Sequence, residues 1–297
     1  MDLLRRPDST AMNAHDSISR RQLLTGLGVA SAGALLATPS GATSGATAAR
    51  AAGIKAVAFD AFAIFDPRPI AAACEQAFPG RGVELISSWR TRQFEYQWLR
   101  ALGGQYRDFW ETTRAALDFA CASLKLELSA GTRDALMRQY RELVAWPEVP
   151  AALRELKNRG LKLSLLSNAT VEILEAGIEH SNLRGLFDLV ISTDRIRSFK
   201  PEPRAYQLGV DAHGIPREEI LFVASAGWDA AGAKWFGYRT FWNNRGHLPA
   251  EELGAPPDGA GPTLDGLTCF IDDRKKLGWP MGLEPTTAEI TTRGSTN

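Results

Sequence analysis

The stretch that most constrains this chain is residues 54–66, IKAVAFDAFAIFD. Apart from Lys55, residues 54–59 form a short apolar run rich in β-formers, as expected of a strand buried on both faces of a parallel sheet. The run stops at Asp60. In open α/β sheets ligands bind in the crevice beyond the carboxyl ends of the strands, so a carboxylate there faces a substrate while its backbone stays fixed. An Asp at a strand end also caps turns, so Asp60 alone leaves both readings open.

Asp66-Pro67 reads as a helix N-cap with proline at the first helical position. From 67 to 146 no strand is expected. Helical segments there are broken at Pro79-Gly80, Gly103-Gly104 and Ser129-Ala130-Gly131, which predicts a helical cap inserted after the first strand. From Val149 the pattern becomes α/β. VPAALRELKNRG is an amphipathic helix stopped by Gly160, LKLSLL is a strand, and TVEILEAGIEHS is the next helix. Further strands are expected at 187–192 and 220–224, with a helix after FKPEP and another opened by Asp229. The fold class is therefore α/β, with a parallel-sheet core from 53–66 and 147–271 and a cap over 67–146. Residues 272–297, rich in Gly, Pro and Thr without apolar periodicity, read as a disordered tail.

Three strands then end in polar groups at one sheet edge: Asp60, Ser167-Asn168 and Asp229. Lys200, held extended by Pro201, lies on the turn between the last two. In the cap, Ile86, Arg90, Phe94 and Trp98 fall at four-residue steps. The helical neighbours of Arg90 are Ile86, Ser87, Gln93 and Phe94, none acidic, so a guanidinium facing inward needs a distant carboxylate or a bound anion. The aromatic residues of this stripe are expected to form cap core or a dimer face rather than a cofactor site.

Lys plus Arg and Asp plus Glu both number 34, so no net field attracts nucleic acid, and a small-molecule partner is expected. Ser19-Arg20-Arg21-Gln22-Leu23-Leu24 precedes a Gly/Ala-rich apolar segment and a small-residue stretch, which reads as a twin-arginine export signal and linker over 1–52. Its apolar part is too short and too glycine-rich for a stable membrane span, and the expected location is the periplasm. Cys74, Cys121 and Cys269 form no metal pattern and are expected to be buried thiols.

These residues resemble the haloacid dehalogenase superfamily and, within it, the type II L-2-haloacid dehalogenases. The likeness rests on VAFDAF, on AFPGRGVEL with SWRTRQFEYQWLR, and on RELKNRGLKLSLLSN, FKPEPRAY and FVASAGWDAAGAKWFGY. It implies a Rossmann-like core, a helical cap and a site between them, without cofactor or metal, acting on short (S)-2-haloacids through an aspartyl ester. It matches Asp60 to the nucleophile, Arg90 to the halide-receiving arginine and Lys200 to the lysine that keeps the nucleophile ionised. Asp229 matches the carboxylate that holds that lysine and helps activate water. Ser167 and Asn168 match the substrate-carboxylate and halide region. Ala61 and Phe62 fall on substrate-binding positions, and Phe109, Tyr206 and Trp228 on pocket-lining ones. A homodimer through the cap helices is also implied.

Two other readings remain open. A magnesium-dependent phosphatase of the same superfamily has a second aspartate two residues after the nucleophile, where this chain has Phe62, and usually an acidic pair where only Asp229 stands. A small-carboxylate binder with little turnover follows from departures at the site: Ala63-Ile64-Phe65 replaces a glycine-threonine-leucine turn, and Ala224 and Ala226 replace polar residues that position water. Ser225 is left, with a side-chain direction that strand alternation does not assure.

Overall fold

The structure is a computed structural model that describes residues 53–276. The expected export signal and residues 277–297 of the expected tail lie outside the described residues. In chain order the elements are β1 Ala56–Phe59, α1 Ala61–Ile64, β2 Phe65–Asp66, α2 Arg68–Ala77, α3 Gly82–Leu102, α4 Phe109–Ser123 and α5 Ala130–Arg138. There follow β3 Val144–Ala145, α6 Val149–Asn158, β4 Lys162–Ser167, α7 Val171–His180, β5 Leu189–Ser192, α8 Pro203–His213, β6 Ile220–Ala224 and α9 Gly227–Phe236. The last are β7 Arg239–Asn243, β8 Gly259–Gly261 and α10 Asp265–Lys276.

Six strands form one sheet in the order β5-β4-β1-β6-β7-β8, and every neighbouring pair is parallel. Strand β1 is central, and all four of its residues have no exposed surface. Its alternation separates two apolar clusters: Val57 and Phe59 join Leu163, Leu165, Leu221 and Val223 on one face, while Ala56 and Ala58 join Leu166, Phe222 and Tyr206 on the other. The chain leaves β1 toward β4 and β5 on one side and returns to β6 on the other. That reversal puts the crevice beyond β1, where Asp60 stands.

The cap occupies 68–138, with α3 as its longest helix. The fully buried stripe of α3 is Leu85, Trp89, Gln93 and Gln97, about 100° round the helix from the stripe singled out in the sequence. Trp89 Nε1 donates to Thr113 O at 2.8 Å, tying α3 to α4. The neighbouring stripe faces the sheet domain: Phe94 and Trp98 pack against Trp228, with ring centroids 5.4 and 5.5 Å apart. They are therefore neither cap core nor a free dimer face.

Four further expectations change. The tract after Asp66 contains a strand, β3, which pairs antiparallel with β2 so that the two connections between sheet domain and cap form one short ribbon. Asp66 does cap the next helix, by accepting Arg68 N at 2.9 Å, but Pro67 takes the N-cap position. Helix α10 runs on to Lys276, past the expected tail boundary: Leu264, Leu267 and Ile271 are buried at helical spacing, and Arg159 Nη1 meets Asp272 Oδ1 at 2.5 Å. All three cysteines are free; Cys74 and Cys121 are buried, whereas Cys269 is exposed.

Candidate active site

Asp60 closes β1. Its backbone N–H continues the sheet by donating to Val223 O at 2.9 Å, so its side chain is the first to leave the strand. Its Oδ2 accepts the Phe62 N–H at 3.1 Å, capping the single turn α1. The turn-capping and ligand-facing readings of this aspartate are thus compatible. The same Oδ2 accepts Ser225 Oγ at 2.6 Å. The other oxygen, Oδ1, accepts Lys200 Nζ at 2.9 Å.

Lys200 is 1% exposed. Its ammonium donates also to Asp229 Oδ2 at 2.6 Å and to Leu166 O at 3.2 Å, which accounts for its three protons. Asp229 lies within the first turn of α9 and not at its N-cap; its Oδ1 accepts the Tyr206 hydroxyl at 2.7 Å. Tyr206 has no exposed surface and packs in the apolar cluster that holds Ala56 and Ala58, so it braces Asp229.

Charge follows from these contacts. Burial works against ionising Asp60, but the Lys200 ammonium, the Ser225 hydroxyl and the Phe62 N–H together hold its carboxyl below the ordinary value. Burial likewise opposes the Lys200 charge, and Asp229 and Asp60 overcome it, so the ammonium is held above the ordinary lysine value. Burial pushes the Asp229 carboxyl up to about 6, with Asp60 adding to the rise and Lys200 and Tyr206 opposing it. One carboxylate is thus fixed as an anion at neutral pH while the other is poised to exchange a proton.

The other sequence-derived candidates differ in how they relate to this core. Arg90 stands over the Phe62 ring at 5.2 Å and the Phe94 ring at 5.5 Å. Among the described residues it pairs with no carboxylate. Trp98 Nε1 donates to Lys200 O at 3.2 Å, a direct link from cap to site. Ser167 Oγ accepts Ala169 N at 3.1 Å, which leaves its proton for another acceptor. Asn168 Oδ1 accepts Lys200 N at 2.8 Å and Thr193 Oγ1 at 3.3 Å, while its Nδ2 donates to Gln97 Oε1 at 2.9 Å. Ala61 is buried beside the nucleophile, and Trp228 is half-buried against Phe94. Phe109 packs edge-on to Tyr140 within the cap, at 5.7 Å.

The sequence reading left the direction of Ser225 open and missed Gln97. Ser225 lies just past β6, where alternation no longer dictates direction, and it turns toward Asp60. Gln97 sits on the buried stripe of α3, a place where glutamine is not expected.

The Lys200 ammonium bridges Asp60 Oδ1 and Asp229 Oδ2. Among the described residues no group of three or more His, Cys, Asp or Glu side chains is placed to hold a metal ion. Where a phosphatase would need its acid, the Phe62 ring lies under Arg90.

Comparison with known proteins agrees with this geometry. Residues 36–237 match the family model described as haloacid dehalogenase-like hydrolase. The chain is 42% identical to haloacetate dehalogenase H-2 of Moraxella sp. strain B, over 73% of this chain and 98% of that one. It is 45% identical to the (S)-2-haloacid dehalogenase of Pseudomonas sp. strain YL, over 69% and 89%. The structure of L-2-haloacid dehalogenase from Xanthobacter autotrophicus with chloropropionic acid covalently bound superposes with a TM-score of 0.67, at 35% identity over 74% of this chain and 98% of that one. With its parallel sheet, its Asp60–Lys200–Asp229 core and these matches, the chain belongs to the haloacid dehalogenase-like hydrolase family.

Proposed function

We propose that this hydrolase converts short (S)-2-haloacids to (R)-2-hydroxy acids through an ester on Asp60. The observation that carries the reading is the Lys200 ammonium bonded to Asp60 Oδ1, together with the Arg90 guanidinium, which has no carboxylate of its own among the described residues and stands over the ring of Phe62, two residues after the aspartate.

Asp60 Oδ1 has one donor and Oδ2 has two, so Oδ1 keeps the freer lone pair for attack. Its electron pair forms a bond to the halogen-bearing carbon from the side opposite the halogen. The carbon–halogen bond breaks and its pair leaves on the halide, whose growing charge meets Arg90. No proton is needed for this departure, so arginine serves where an alcohol leaving group would require an acid.

Water then attacks Cγ of the ester and gives a proton to Asp229. The former Oδ2 becomes the oxyanion, held by the Phe62 N–H and the Ser225 hydroxyl. Collapse breaks the bond between the acyl carbon and the ester oxygen; that oxygen takes the proton back from Asp229 and leaves as the hydroxyl of the 2-hydroxy acid, while the carboxyl of Asp60 gives its remaining proton to solvent and is again an anion. Because the carbon is attacked once and from behind, its configuration inverts.

Free halide measured from 2-chloropropionate enantiomers and from chloroacetate, without added metal, tests the activity. A single turnover in heavy-oxygen water tests the ester: the label enters Asp60 and not the product. Label in the product instead would mean direct displacement by water.

Export by the twin-arginine route to the periplasm is part of the proposal, supported by Arg20-Arg21 before an apolar segment. Fractionation of cells expressing the chain and its Arg20→Lys/Arg21→Lys variant tests it. A homodimer is also proposed, supported by Leu99 and Leu102 of α3, exposed by 62% and 87%; sedimentation velocity decides it. Among the described residues no helix is long and apolar enough to cross a membrane.

A further inference from the structure

Gln97 of α3 has no exposed surface, and among the described residues its Nε2 has no hydrogen-bond partner. An orphaned buried donor is costly and needs a reason. Misassignment of the amide is not that reason. The Lys200 backbone N–H can only donate, so the Asn168 atom it meets at 2.8 Å is the carbonyl oxygen. Asn168 therefore presents its NH2 to Gln97, and Gln97 must answer with its own oxygen, at 2.9 Å. The chain of bonds that starts at Lys200 leaves Gln97 with its donor end unspent.

The position of that donor is informative. Gln97 follows Arg90 by seven residues on one helix, so the two lie on nearly the same face and about 10 Å apart along the axis. A 2-halo acid, with its halide at one end and its carboxylate at the other, spans that distance when each end makes a contact of about 3 Å. The Arg90 end lies over Phe62, next to the nucleophile. The Gln97 end adjoins Asn168, and Ser167 beside it has a hydroxyl proton to give.

We infer that Gln97 Nε2 donates to the carboxylate of the bound 2-halo acid and so helps select substrates that carry one. This rests on the dehalogenase reading and adds a residue from the cap to the substrate-binding set. It also means that the carboxylate bridges cap and sheet domain, since Gln97 belongs to one and Ser167 and Asn168 to the other.

The test is calorimetric and needs no turnover. Propionate, a carboxylate without halogen, and bromide, a halide without carboxylate, are titrated into the full chain and its Gln97 variants. Gln97→Met is expected to weaken propionate about ten- to hundredfold, as for loss of a bond to a charged group, and to leave bromide unchanged. Gln97→Glu keeps an oxygen for Asn168 but loses the donor. Propionate binding is expected to vanish at neutral pH and to return as the pH falls and the new carboxyl regains a proton. A residue that merely held Asn168 would give no such recovery. Unchanged propionate affinity in Gln97→Met, equal weakening of both anions, or no propionate binding by the wild type would overturn the assignment. Failure of the dehalogenase reading shows separately, as no halide release from any haloacid by the wild type.

Discussion

Lys200 Nζ lies 2.9 Å from Asp60 Oδ1, and the backbone N–H of the same lysine is held by Asn168 at 2.8 Å. One residue thereby couples the nucleophile to the end of β4 and, through Gln97, to the cap. Its ammonium is also the sole cation bonded to either buried carboxylate of the site among the described residues. Lys200→Met would leave both anions without compensation. Halide release is expected to fall at least a thousandfold, and stability by about 3–5 kcal/mol at neutral pH. Part of that stability should return in acid as the carboxylates are protonated. A folded variant that still releases halide at a tenth of the wild-type rate would refute the assignment.

Among the described residues Ser225 supplies the one hydroxyl bonded to Asp60, at 2.6 Å, between two alanines that offer no polar group. Its proposed work lies in the second step, where the former Oδ2 carries the negative charge. Ser225→Ala is expected to lower steady-state turnover about a hundredfold to a thousandfold, the range for loss of one oxyanion donor. The first halide should still be released in a burst. Mass spectrometry should find the adduct on Asp60 accumulating; a variant that loses the burst as well would place Ser225 in alkylation instead.

The contrast between these two residues marks what could be read before the fold was in hand. Asp60, Ser167 and Asp229 sit at strand ends or in the helical turn that follows, and strand edges are visible in apolar runs. Lys200 is announced by the proline after it. Ser225 was visible as a residue but not as a contact, because its direction depends on how the chain turns after Ala224. Gln97 was hidden for another reason: glutamine on a helix reads as a solvated face, and only the packing of α3 on the sheet domain reverses that. Strand β8 is Gly-Ala-Gly, with no β-former in it, and β3 is two residues long, so neither leaves a periodic trace.

The pH dependence should divide the two chemical steps. Asp229 is pushed up to about 6 by burial, whereas Asp60 is held below the ordinary carboxylate value despite its burial. A raised carboxyl loses its basic form as pH falls through that value, so ester hydrolysis should decline about tenfold per pH unit below 6. Alkylation needs only ionised Asp60 and should continue. Rapid-quench measurements at pH 5 are expected to show a full burst followed by slow turnover. A burst and a steady rate that fall together near pH 4 would exclude Asp229 as the base.

Arg90 stands over Phe62 and Phe94 as a flat guanidinium, a geometry that an ammonium does not reproduce. Arg90→Lys keeps the charge and loses the plane. Turnover is expected to drop about a hundredfold for chloride as leaving group and less for bromide, since the better leaving group needs less help. Bromide should also become a weaker inhibitor. Equal losses for both halogens would point to a role in substrate placement and not in receiving the halide.

Gly232, one turn after Asp229 on α9, allows a close approach that controls the poise of the base. A Cβ there would meet Tyr206 Oη at 2.5 Å and Pro201 Cβ at 2.7 Å. Tyr206 can give way only by leaving Asp229 Oδ1, which it holds at 2.7 Å. That bond favours the ionised form of Asp229, so its loss should raise the carboxyl further and move the acid limb of turnover to higher pH. Gly232→Ala is expected to show this shift together with a stability loss of about 1–3 kcal/mol from overpacking. Tyr206→Phe removes the same bond without crowding, so the same pH shift should appear without the overpacking loss. If the acid limb stays in place in both variants, the tyrosine braces the fold but does not tune the base.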